Sequence, residues 1–175
     1  MEGVRIYIPM VILALLGLVL QFALSNAIQI GNAMPNFVIA FALIIAVVYP
    51  VFGSVVVAFV MGLLYNLLGA GPVGGLALVL TLLCYLLTQL FRRMESANFL
   101  FALITLFITA FLAELFYGIL TGVFVSGISV SEALRLRALG CGVYDALVTC
   151  VLYPIPALVM RIMTNRGQGA GDWKM

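Results

Sequence analysis

The stretch "GSVVVAFVMGLLYNLLGAGPVGGLAL", residues 53–78, decides the fold. From Val55 to Leu68 it is apolar except for Gly62, Tyr65 and Asn66. "GAGPVGG" then turns the chain, and an uncharged apolar run resumes at Leu76. Two apolar segments joined by a tight turn read as a hairpin of helices inside hydrocarbon. The amide of Asn66 is out of place there. "GVYDALVTC", Gly142 to Cys150, poses the same problem with the carboxylate of Asp145.

Composition extends this reading to the whole chain. Of 175 residues 66% are hydrophobic and 8% charged, against about 25% charged in a soluble domain. Too few polar groups exist to cover a globule, so lipid must be the solvent. The apolar runs lack strict alternation, which argues for spanning helices over barrel strands. The net charge of +2 points to no nucleic-acid partner. Cys84, Cys141 and Cys150 sit inside apolar segments without metal or disulfide spacing. Histidine is absent, which removes Ser-His dyads, HExxH zinc sites and imidazole relays. The first apolar segment reads as a retained helix, because it lacks a cleavage site followed by a soluble chain.

Six spans are expected: Ile6–Leu24, Asn36–Val48, Val51–Leu68, Leu76–Phe91, Phe99–Val125 and Leu139–Met163. The second is short for a bilayer core of ~30 Å. Tyr49-Pro50 marks the turn after it, and Pro154 and Pro156 should kink the last. With the N-terminus inside, Arg5, Arg92, Arg93, Arg161, Arg166 and Lys174 are cytoplasmic, and only Arg135 and Arg137 lie outside. That obeys the positive-inside rule. The expected organisation is one transmembrane helical domain, residues 1–164, with both termini cytoplasmic and a flexible tail, 165–175. In the outer loop, Ser129 and Glu132 have capping-box spacing. The segment after them is either a short helix on the membrane surface or the frayed start of the sixth span.

Asn66, Glu114 and Asp145 are the polar residues at depth. A charge at mid-span costs ~3 kcal/mol or more, so such groups turn into the bundle. Small residues accompany each at helical spacing: Gly62 and Gly69 on the third span, Ala110, Gly118 and Gly122 on the fifth, Cys141 and Thr149 on the sixth. Close helix approach would let the polar groups pair. Structural hydrogen-bonded packing is favoured over a substrate or proton pathway, for want of a chain of ionisable groups. Tyr144-Asp145 with "GAGD", residues 169–172, imitates the two motifs of an intramembrane aspartyl protease. If helical throughout, however, the chain would hold Asp145 and Asp172 about 40 Å apart, too far to share a water.

The pattern as a whole resembles the MreD family, the small membrane component of the bacterial cell-elongation machinery. The resemblance rests on "MPNFVIAFALIIAV" (34–47), the opening stretch, and "VYDALVTCVLYPIPALVMRI" (143–162). Pro35 and Asn36 match the opening of the family's second span. Gly62, Asn66, Pro72 and Gly74 match its hairpin pattern, and Tyr144, Asp145 and Pro154 its last span. The family commonly has Asp where this chain has Asn66, and Asn where it has Asp145. That exchange suggests a direct Asn66–Asp145 pair.

The resemblance implies a six-helix bundle like the substrate-binding S-components of energy-coupling-factor vitamin transporters. It also implies a bacterial cytoplasmic-membrane scaffold with no reaction and no cofactor of its own. Such a scaffold would bind MreC and, through it, link MreB, RodA and the class B transpeptidase of peptidoglycan synthesis; it leaves room for a homodimer. The alternative is an S-component itself, with Tyr65, Phe116 and Tyr117 lining a vitamin pocket and Ala23 and Ala27 forming a small-residue stripe on the first helix. Ordinary helix packing is the preferred reading of those two alanines.

Overall fold

The computed structural model describes residues 2–30, 33–69, 72–94, 98–124 and 140–169, without the side chains of 2–5, 161 and 163–169. Ser129, Glu132, Arg135, Arg137, Asp172 and Lys174 lie outside the described residues, as do the readings placed on them.

Seven helical segments make up the described chain. They are α1 (Glu2–Leu24), α2 (Phe37–Val48), α3 (Phe52–Leu68), α4 (Gly75–Arg92), α5 (Phe99–Phe124), α6 (Gly142–Leu152) and α7 (Pro154–Gly169). Among the described residues the only β-type pairing is a bridge between Ile30 and Ala33. It closes the connection from α1 to α2 with two hydrogen bonds of 3.0 Å. Segments α6 and α7 form one rod broken at Tyr153. Prolines at 154 and 156 have no N–H to donate back along the helix. The rod continues because Tyr153 N–H still reaches Thr149 O at 3.0 Å and Ala157 N–H reaches Tyr153 O at 3.3 Å. Helix α7 runs on to Gly169, five residues into the stretch expected to be a tail.

Ile6–Leu24, Gly75–Arg92, Phe99–Phe124 and Gly142–Met160 are each long and apolar enough to cross a membrane. The two remaining rods, α2 and α3, are shorter. At 12 residues, α2 is about 18 Å long. Its shortness follows from its position. Every residue from Phe37 to Val47 is buried, and α2 touches all six other helices. A helix that is apolar all round belongs in a core. Wrapped in protein, α2 need not match the thickness of hydrocarbon.

Around this axis, α3 packs on α4 and α5 on α6. Gly62 sets the closest approach: a Cβ there would stand 2.6 Å from Ala77 Cα and 2.7 Å from its N. Gly17 does the same for α1 against α2, where a Cβ would meet Phe41 Cβ at 2.8 Å. Between apolar helices in lipid, such close packing supplies the attraction that water would otherwise drive.

The turn at Tyr49-Pro50 forms where Pro50 predicts it. Tyr49 N–H donates to Ile45 O at 2.8 Å and closes α2. Ser54 Oγ donates to Val51 O at 2.7 Å and lies 3.0 Å from Thr88 Oγ1, tying α3 to α4 at that end of the bundle.

Candidate functional site

The opposite end holds the polar residues. Helix α2 starts inside the bundle, where its first N–H groups have no partner within the helix. Lipid offers none either, and an unmet backbone group in hydrocarbon costs several kcal/mol. Side chains from neighbouring helices meet the need. Asn36 N–H donates to Asp145 Oδ1 of α6 at 2.6 Å. Phe37 N–H donates to Gln21 Oε1 of α1 at 2.7 Å. Ile39 N–H donates to the Asn36 side chain at 3.3 Å, an ordinary N-cap. The Asn36 amide in turn donates to Glu114 Oε1 of α5 at 3.4 Å. Four helices thus meet at one helix start. Carboxylates suit this position, since the helix dipole favours negative charge there.

A second helix start is capped in the same manner. Leu76 N–H, in the first turn of α4, donates to Asn66 Oδ1 of α3 at 2.9 Å. The Asn66 amide donates to Tyr117 Oη of α5 at 3.0 Å. Gly74 prepares this start. It is the one described residue with positive φ, at 81°, a conformation that favours glycine. Gly75 N–H donates to Pro72 O at 3.0 Å, completing the turn.

The sequence-derived residues therefore divide into two networks. Asn66, Glu114 and Asp145 are all buried, at 2%, 1% and 0% exposure. The expected Asn66–Asp145 pair does not form. Asn66 engages Tyr117 and Leu76, whereas Asp145 engages Asn36. Both residues cap helix starts, but different ones, so an acid and an amide can exchange places across the two sites without touching. Tyr144 Oη donates to Ile28 O at 2.8 Å, fixing α6 beside the end of α1. Pro154 opens α7 and is exposed, while Pro35 is buried just before the α2 cap. Thr149 Oγ1 donates to Asp145 O at 2.6 Å, within α6.

Gln21 escaped the sequence reading. Its signal was present: an amide in an otherwise apolar segment, the same signal that marked Asn66. Ala23 and Ala27 are both exposed, and Ala27 lies past the end of α1, so they form no packed stripe.

Of the aromatic residues proposed for a pocket, two meet and the third turns away. Tyr117 is buried and meets Tyr65 edge-on, with ring centroids 6.5 Å apart at 69°. Phe116 faces outward, on a cavity of about 130 Å³ between α4 and α5 with Leu78 and Leu82. An open groove of about 670 Å³ adjoins it along α3 and α4, between Phe52, Phe59, Leu78 and Tyr85. Its threonine, Thr81, spends its hydroxyl on Ala77 O at 2.6 Å. Such an apolar lining suits acyl chains or an apolar helix better than a polar small molecule. Among the described residues, no three His, Cys, Asp or Glu side chains come together as metal ligands would.

Against known families, residues 4–163 match the model of the rod shape-determining protein MreD. The chain belongs to the MreD family. No curated protein and no solved structure matches it. Membership makes this a membrane protein of rod-shape determination, in a family whose part in cell shape is structural. The matched span holds every residue of both cap networks, from Gln21 to Asp145.

Proposed function

We propose that this MreD-family chain is a non-catalytic scaffold of the cell-elongation complex in the bacterial cytoplasmic membrane. In this reading one domain, residues 1–164, crosses the bilayer six times, resembles the S-component bundle, and keeps both termini and the short tail on the cytoplasmic side. It binds MreC and thereby couples MreB filaments to RodA and the class B transpeptidase. Asn66, Glu114 and Asp145 act as packing residues, and Pro35, Asn36, Gly62, Pro72, Gly74, Tyr144 and Pro154 shape the helix ends and turns.

One observation supports this most directly. The polar side chains at depth are committed to helix starts: Asp145 to Asn36, Gln21 to Phe37, and Asn66 to Leu76. A protein that spends its buried polar groups on its own framework is built to hold a shape. Binding then falls to the lipid-facing surfaces, where exposed Leu, Ile, Val and Phe side chains dominate. The alternative, a vitamin-binding S-component, needs convergent polar groups in a pocket, and Tyr65, Phe116 and Tyr117 provide no such lining.

The test is purification of the tagged chain from native membranes, with co-purifying proteins and small molecules identified by mass. MreC and RodA are the expected companions. A stoichiometric vitamin-sized molecule without any wall-synthesis protein would overturn the scaffold reading.

A further inference from the structure

Helix α5 contributes to both cap networks. Glu114 accepts from the Asn36 amide at the start of α2. Tyr117 accepts from the Asn66 amide, whose oxygen holds the start of α4. These two residues are three apart on one helix, about 4.5 Å along its axis. The other end of the bundle is tied differently: Ser54 with Thr88 joins α3 to α4, and Cys150 Sγ of α6 donates to Leu103 O of α5 at 3.6 Å. A stiff rod bonded at two neighbouring points cannot slide or tilt away from one helix start without disturbing the other.

We propose that α5 is a strut that makes the starts of α2 and α4 a single cooperative unit, opening and closing together and apart from the Ser54 end. Any load that shifts α5 along its axis reaches both buried helix starts at once. Direct bonding between the two networks is not required, because the rod itself carries the displacement. Opening exposes backbone donors to hydrocarbon at two places simultaneously, which gives the device two discrete states instead of a graded deformation.

Amide hydrogen exchange on the full-length protein in lipid nanodiscs tests this. Tyr117→Phe removes the hydroxyl that accepts from the Asn66 amide in the α4 network. Loss of a single such bond should speed exchange at Leu76 about fivefold. The strut requires the same factor at Asn36 and Phe37, with the amides after Phe52 unchanged. Gln21→Met, which touches only the α2 network, should accelerate Leu76 in return. Acceleration at Leu76 alone in the first variant would overturn the proposal, and so would uniform acceleration of the whole protein. If either variant fails to fold, the unmodified protein decides the matter. Under increasing denaturant, the Asn36, Phe37 and Leu76 amides should merge onto one opening curve below that of the Ser54 end. Separate curves would overturn the strut.

Discussion

Asp145 Oδ1 accepts the backbone N–H of Asn36 at 2.6 Å across 109 residues of chain. This bond joins the start of α6 to the start of the central helix. It explains a carboxylate inside an apolar span: the group is there as an acceptor for a donor that has no other place to go. The demand is for an oxygen at one position, and charge is a secondary benefit from the helix dipole.

Asp145→Asn should therefore be mild, because an amide oxygen can still accept. Asp145→Leu strands the Asn36 N–H in a dry site and should cost about 1–3 kcal/mol. Denaturant-induced unfolding in mixed micelles measures both. Equal losses in the two variants would mean that the acceptor role is not what matters at this position.

The exchange of acid and amide gives a sharper test. Asn66→Asp combined with Asp145→Asn should show additive losses, with a coupling below about 0.5 kcal/mol, since the two side chains have separate partners. Mutual rescue in the double variant would restore the direct pair.

Gly62→Ala should be among the most damaging single-methyl additions in the chain. Its Cβ would face Ala77 backbone atoms at 2.6 and 2.7 Å, and backbone cannot swing aside as a side chain can. Overpacking of this kind costs about 1–3 kcal/mol. Gly62→Ala with wild-type stability would show that the α3–α4 contact is looser than the close approach implies.

Gly74 is sensitive for a different reason. A Cβ added at Gly74 would meet no atom within 4 Å, so Gly74→Ala meets no clash and loses only the ease of positive φ, about 1–2 kcal/mol. Gly74→Asn should recover part of that loss, because Asn visits the left-handed region more readily than Ala. Thermal unfolding of the two variants, ranked against wild type, checks the order. A Gly74→Ala protein as stable as wild type would remove the backbone argument.

Much of this architecture was legible in advance, and the misses share a physical cause. Hydropathy located the helical rods because apolar length is a local property. The turns at Pro50 and at Pro72–Gly75 were legible because Pro fixes the backbone where it stands and Gly admits conformations that other residues avoid. Burial of Asn66, Glu114 and Asp145 followed from the cost of polar groups in lipid. Their partners did not, because Asp145 and Asn36 are distant in sequence and no local pattern pairs them. The second segment was expected to span as Asn36–Val48. Its helix, Phe37–Val48, is a short core element because burial on all sides depends on the other six helices. Gln21 shows the opposite failure: a local signal, an amide close to the end of an apolar span, where a polar residue reads as the approach to water.

The seclusion of α2 bears on how the protein is made. A segment of 12 residues is below the length that inserts as an independent span, about 17 residues at least. The backbone donors at its start are met by side chains from α1 and α6, and its cap residue Asn36 bonds to Glu114 of α5. Since α5 and α6 emerge from the ribosome long after α2, the central element must wait, held beside its immediate neighbours, until the last third of the chain has been synthesised. Biogenesis of this bundle therefore finishes at its centre.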